Sequence, residues 1–283
     1  MTDLAGNFLK GKVNRILVPI DFSSRSPLAL EHAVEVARIY GASIWLLHVL
    51  DVTVFVAGVV PGALAEIIMR SELALEELAA SPRGQHIECT TLLQKGDLDG
   101  QIEETIAEYN IDMLVLSTKA GTAMAGFSFA STAERILRKT SIPVLTIADC
   151  RPVRKWAGDG CFHLFYATDL SPQSIRSFQY ARALEHRLCV ELTLAHVLPN
   201  HASPEKIEAV STQLNALAEG TPNKVAILHG TVGPAICEAS SLAEADLIVI
   251  GVKKHSVLRE VLLGHTLLEI LYGARCPVLT IRL

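Results

Sequence analysis

The segment ILVPIDFSSRS, Ile16–Ser26, returns as LFYATDLSPQS at Leu164–Ser174. Self-similarity over such a span means that one structural unit is used twice, so both halves must reach the same fold. Asp21 and Asp169 stand 148 residues apart, as do His48 of LLHVL and His196 of LAHVL. Later markers lie closer: Gly96 and Gly230, Asp112 and Asp246, and Pro143 and Pro277 are each 134 residues apart. The second copy is therefore 14 residues shorter between its second strand and the glycine after its third. The 283 residues divide into two units of ordinary domain size, residues 1–150 and 151–283, with Cys150–Gly160 as the linker.

Within the first copy, apolar runs of strand length at 15–20, 43–49, 86–94, 113–117 and 144–147 alternate with helical patterns near 27–40, 63–80, 98–110 and 131–140. The second copy repeats the order, with strands at 164–168, 191–197, 224–228, 247–251 and 278–281 and helices near 173–187, 204–218, 232–243 and 265–272. Such βαβ crossovers impose parallel pairing with helices on both faces, an α/β fold. Composition agrees, since half the residues are hydrophobic and only 5% aromatic, as suits strands buried on both faces.

The formal charge of -5 lacks the basic footprint of a nucleic-acid binder. Cys89, Cys150, Cys161, Cys189, Cys237 and Cys276 form no metal-ligand spacing and read as buried free thiols, with no metal site expected. The N-terminus carries Asp3 and no basic-then-apolar leader, and Val52–Ala65 is too short to span a bilayer, so a cytoplasmic protein is expected.

Ligands of open parallel sheets lie beyond the carboxyl ends of the strands. There the chain carries ILVPIDFS, LLHV, DMLVLSTKAGTAMAGFSFASTAERILRKTSIPVLTI and, in the second copy, DLIVIGVKKHSVLREVLLGHTLLEILYGARCPVLTI. In these motifs the sequence resembles the universal stress proteins, twice over nearly its whole length. The resemblance implies two tandem, Rossmann-like, five-stranded parallel sheets of order 3-2-1-4-5. It also implies a stress-response regulator, not an enzyme, and pairing through the last strand, either as a homodimer of four domains or as a pseudo-dimer within one chain.

Nucleotide-binding members of that family place Gly-x-x-Gly, nine residues, then Gly-Ser or Gly-Thr across the loop after the fourth strand. Glycines let backbone N–H groups close on phosphates, and the hydroxyl opens a helix whose N-terminus favours anions. The matching positions in the first copy are Ser117, Ala120, Ala130 and Ser131, followed by Thr132, with Asp21 and Val49 at the ends of the first two strands. All three glycines are gone, a loss of roughly 1–2 kcal/mol for each strained replacement and about 1.5–3 kcal/mol for each lost charged hydrogen bond. In the second copy they are Gly251, Lys254, Gly264 and His265, followed by Thr266, with Asp169 and Val197. Two glycines survive there, and Lys253, Lys254 and Arg259 supply charge, so ATP with Mg²⁺ is expected in the second copy and not the first.

Several features carry a plainer reading. Asp21 and Asp169 either contact a ribose or adenine or cap the turn into the first helix, and His48 and His196 read as structural histidines. Gly126–Ala130 imitates a nucleophile elbow, but Ser128 lies well past the fourth strand, where no elbow forms. A slow ATPase lacks an obvious base. The apolar Val52–Leu64 has no counterpart in the second copy and suggests a copy-specific ligand or contact. The alternative to nucleotide binding is a scaffold acting through dimerisation and partner contacts.

Overall fold

The computed structural model describes residues 12–51, 63–118, 129–147, 155–156, 160–185, 187–219, 223–252 and 265–282. In the first half, strands β1 (Arg15–Pro19), β2 (Ser43–Leu50), β3 (Cys89–Lys95), β4 (Met113–Ser117) and β5 (Val144–Ile147) alternate with helices α1 (Ser26–Tyr40), α2 (Ala63–Gly84), α3 (Leu98–Glu108) and α4 (Phe129–Lys139). The second half runs β6 (Phe162–Ala167), α5 (Pro172–Glu185), β7 (Val190–Leu198), α6 (Pro204–Ala218), β8 (Asn223–His229), α7 (Val232–Leu242), β9 (Leu247–Val252), α8 (His265–Gly273) and β10 (Val278–Arg282).

Local chemistry sets the boundaries. Pro27 pre-sets the first turn of α1, and Gly41, at φ 66°, ends it in the left-handed conformation that glycine adopts without strain. Asp97 caps α3 through a 3.0 Å bond from the Gly100 amide. The repeat extends to backbone conformation. Phe22 and Leu170 have φ 56° and 59°, and Asn110 and Glu244 have φ 49° and 52°, left-handed positions reused in both copies.

The strand order is β3-β2-β1-β4-β5-β10-β9-β6-β7-β8. Each half therefore has the order 3-2-1-4-5, but the halves do not form two separate sheets. They share a single ten-stranded sheet, because β5 and β10 pair antiparallel with Leu145 opposite Leu279. Leu145 and Leu279 are images of one another at the 134-residue offset, so an internal two-fold axis passes between them, as in an isologous dimer. Parallel sheets related by such an axis can meet only antiparallel. The chain is thus a pseudo-dimer of its own halves.

Alternating side chains divide the core between the two faces, Ile16, Val18 and Leu46 on one and Leu17, Leu47 and Leu114 on the other. Contacts across the axis add to the strand pairing. The Arg187 guanidinium donates to Ile39 O at 3.1 Å and lies 4.7 Å above the Tyr40 ring. Trp156, in the segment with linker composition, is buried, donates its amide to Glu35 Oε2 at 3.0 Å and stacks on Phe162. That part of the connection is docked.

The expectation of free thiols throughout is overturned at Cys161 and Cys189, which form a disulfide with Cα atoms 4.7 Å apart. They immediately precede β6 and β7, whose pairing places Phe162 opposite Val190 and so brings the two cysteines together. Cys89 and Cys276 are buried free thiols, Cys237 is half-buried, and Cys150 lies outside the described residues. Among the described residues, no helix is long and apolar enough to cross a membrane.

Candidate functional site

In the first half the carboxyl ends of β1, β2 and β4 open into a cleft of about 700 Å³, within the range of ligand pockets. Ile20, Val49, Leu98, Leu116, Ala133 and Ile136 form its apolar walls. Asp21, Asp51 and Asp97 edge it together with Arg25, Arg135, His48, Ser117 and Thr118.

Asp21 follows β1 directly. Its Oδ1 accepts from the Ser23 amide at 2.9 Å and from Ser26 Oγ at 2.8 Å. Partial burial opposes its ionisation, but the bonds from Ser23 and Ser26 outweigh that and hold the carboxyl below its usual value. Asp169 caps the matching turn through the Ser171 amide at 2.9 Å. Both aspartates therefore cap the turn into the helix, and Asp21 also faces the cleft. His48 Nδ1 lies 2.7 Å from Ile20 O and His196 Nδ1 lies 2.8 Å from Thr168 O, which places the proton on Nδ1 and makes both rings braces for strand ends. Phe22 stacks on the His48 ring at 4.4 Å. Asp112 and Asp246 brace the opposite ends of β1 and β6, accepting from the amides of Asn14 and Arg15 in one copy and of His163 in the other.

Thr118 is 6% exposed, and its hydroxyl has no hydrogen-bond partner. Such a buried orphan at a cleft wall is costly unless a ligand or water completes it. Arg135 is held by Asp99, accepting at Oδ2 from Nε at 2.7 Å and at Oδ1 from Nη2 at 3.1 Å. The repeat offset maps Asp99 and Arg135 onto Gly233 and Glu269. There, a methyl group added to Gly233 would come within 2.5 Å of Glu269 Cβ. A bidentate ion pair in one copy is thus replaced by close approach of two helices in the other.

Gly251 has a comparable explanation. A methyl group at this position would lie 2.0 Å from Ser177 Oγ and 3.2 Å from Ser174 Cα. Ser177 Oγ is in turn 2.6 Å from the buried Tyr166 hydroxyl and donates to Ser174 O at 2.8 Å. Close packing of α5 on β9 therefore requires glycine whether or not a phosphate is bound. In the first copy the matching residues are Ser117 and Ala29, so the bulk has moved from helix to strand.

Of the remaining positions singled out in the sequence, Val49 and Val197 are half-buried at the ends of β2 and β7. Ala130, Ser131 and Thr132 fall in α4, and His265 and Thr266 open α8, where exposed His265 pairs with Glu269 at 3.1 Å. Ala120, Lys253, Lys254, Arg259, Gly264, Ser128 and residues 52–62 lie outside the described residues. Asp51, Asp97, Thr118 and Arg135 were not singled out. Comparing the copies exposes two of them, because Pro199 and Thr231 replace Asp51 and Asp97.

A solved universal stress protein from Archaeoglobus fulgidus superposes with a TM-score of 0.75, covering 96% of this chain and 97% of that one at 21% identity, a likeness of fold. A universal stress protein of Methanocaldococcus jannaschii is 25% identical over 137 residues, 47% of this chain and 81% of that protein. A Na(+)/H(+) antiporter of Synechocystis is 24% identical over 151 residues, 52% of this chain but only 21% of the antiporter's length. The sequence profile of the Universal stress protein family matches residues 12–148 and again 163–282, one match for each half of the sheet. The chain belongs to the universal stress protein family, with two copies of its fold in tandem.

Proposed function

We propose that this protein is a stress-response regulator that binds an adenine nucleotide, ATP with Mg²⁺, at the strand ends of its second half. The observation that carries the reading is the survival in the second half of Gly251 and Gly264, two of the three glycine positions of the loop after the fourth strand, beside a run of cations. The first-half crevice is edged by Asp21, Asp51 and Asp97, whereas the second has Asp169, Pro199 and Thr231 at those places. The second crevice lacks two of the first's three aspartates, although Glu269, paired with His265, stands where the first has Arg135. Lys253, Lys254 and Arg259 precede α8, whose N-terminal amides and positive dipole end suit an anion. Asp169, Val197, Gly251, Lys254, Gly264, His265 and Thr266 are the proposed nucleotide residues, Gly251 serving packing as well. The chain acts as a binder and not an enzyme, in a cytoplasmic setting.

Calorimetry with ATP and Mg²⁺ tests this. One site per chain is expected, weakened at least tenfold by His265→Glu, which adds a negative charge at the helix start without opposing the helix dipole. No heat and no thermal shift on the intact chain refutes the reading and leaves a scaffold acting through partner contacts, as a single chain or a four-domain homodimer.

A further inference from the structure

We propose that the second half binds a neutral, flat aromatic molecule of the indole or phenol class in a groove at the amino ends of β6, β7 and β8. That is the opposite end of the sheet from the crevices described above, and the inference does not depend on the nucleotide reading.

The first half shows what the place is shaped to hold. There Trp45 of β2 and Tyr109 at the end of α3 stack with ring centroids 4.4 Å apart, packed on the core cluster around Leu17. At the repeat offsets Trp45, Leu92 and Tyr109 become Thr193, Ala226 and Ala243, and Glu108 becomes Leu242. Where the first half has two rings, the second has a groove of about 420 Å³, a size typical of ligand pockets. Phe165, Thr193 and Ala226 form its floor, and Ala239, Leu242 and Ala243 at the end of α7 form its roof. Leu242 is 79% exposed at the rim, apolar surface that a bound ring would cover.

The groove is braced before any ligand arrives. His163 Nδ1 lies 3.1 Å from Ala243 O and so ties β6 to the end of α7, and the Cys161–Cys189 disulfide joins β6 to β7 just ahead of His163 and Glu191. Such bracing lowers the ordering cost of binding. The rim sets the charge of the ligand. Glu191 Oε2 lies 3.1 Å from His163 Nε2 and 3.3 Å from Lys224 Nζ, so the carboxylate is already met and calls for no further ion. The Lys224 ammonium beside the groove favours a π face over an aliphatic ring.

Titration calorimetry of the intact chain with indole tests this, with phenol and cyclohexanol as a pair of equal ring size. Indole is expected to bind at one site per chain, and phenol at least threefold more tightly than cyclohexanol. Thr193→Trp with Ala243→Tyr, which rebuilds the first half's pair, should weaken indole at least tenfold without lowering the melting temperature. Leu242→Glu, which places the first half's residue at an exposed position, should weaken it at least threefold. Neither change should alter ATP binding at the far ends of the strands, so the two readings fail separately. No indole binding, indole binding indifferent to either variant, equal affinities for phenol and cyclohexanol, or a double variant that melts below the parent overturns the inference. So does a parent dimer that the double variant splits, an outcome that gives the groove to a second copy of the chain.

Discussion

Replacing Gly251 with serine, the residue found at the matching place in the first half, should destabilise the protein through packing alone. The new Cβ would stand 2.0 Å from Ser177 Oγ and 3.2 Å from Ser174 Cα, so either the hydroxyl or the whole of α5 must move. Overpacking of this kind costs about 1–3 kcal/mol. Displacing Ser177 also breaks its contacts with the buried Tyr166 hydroxyl and Ser174 O, at roughly 1 kcal/mol each. A loss of about 2–4 kcal/mol lowers the melting temperature by roughly 5–15 °C in a domain of this size. Scanning calorimetry or urea denaturation reads the change. The structure also supplies the cure, because the first half carries Ala29 where the second has Ser177. Gly251→Ser with Ser177→Ala should recover more than half of the loss, since the atom 2.0 Å away is removed. A single variant as stable as the parent, or a double variant no better than the single, refutes the packing argument. Undiminished stability with lost ATP binding would assign Gly251 to phosphate approach alone.

Acid should weaken the fold through His32, which is 3% exposed with both ring nitrogens unpartnered and whose pKa burial pushes down to about 4. The unfolded chain takes up a proton below pH 6.5 that the folded chain refuses, so stability declines as pH falls from about 6.5 to 4. The loss is about 2 kcal/mol by pH 5, and His32→Leu should flatten that part of a urea-denaturation profile; an unchanged slope in the variant refutes the assignment. Asp99→Asn should cost about 1–2 kcal/mol by breaking the bidentate pair with Arg135. Urea denaturation at neutral pH reads the change, and a variant as stable as the parent counts against the ion pair.

The element order was legible because parallel strands declare themselves as apolar runs and the repeat gave each one twice. The joining of the halves through their last strands was implied by the family resemblance alone, since Val144–Ile147 and Val278–Arg282 read as ordinary last strands and nothing in their composition distinguishes an outer edge from a pairing edge. Trp156 sits between Pro152 and the glycines Gly158 and Gly160 that signal a linker, and its burial against Glu35 and Phe162 follows from tertiary packing alone. The disulfide was hidden for a similar reason. Cys161 and Cys189 are 28 residues apart, and only the pairing of β6 with β7 brings them together. At the candidate site, a missing glycine at Ser117 suggested damage to a phosphate loop. The exchange of Ser117 and Ala29 for Gly251 and Ser177 shows that part of the difference between the copies is redistribution of volume between a strand and its helix.

Fusing the two partners of the β5–β10 junction into one polypeptide changes what selection can do with it. In an assembly of identical subunits every substitution is made twice, and a change that helps one subunit is imposed on the other. Here association needs no second molecule and does not weaken on dilution, because the tether fixes the local concentration of the halves. Each half can then lose residues that the other keeps, which is how one sheet comes to carry three aspartates at one set of strand ends and Asp169 with Pro199 and Thr231 at the other.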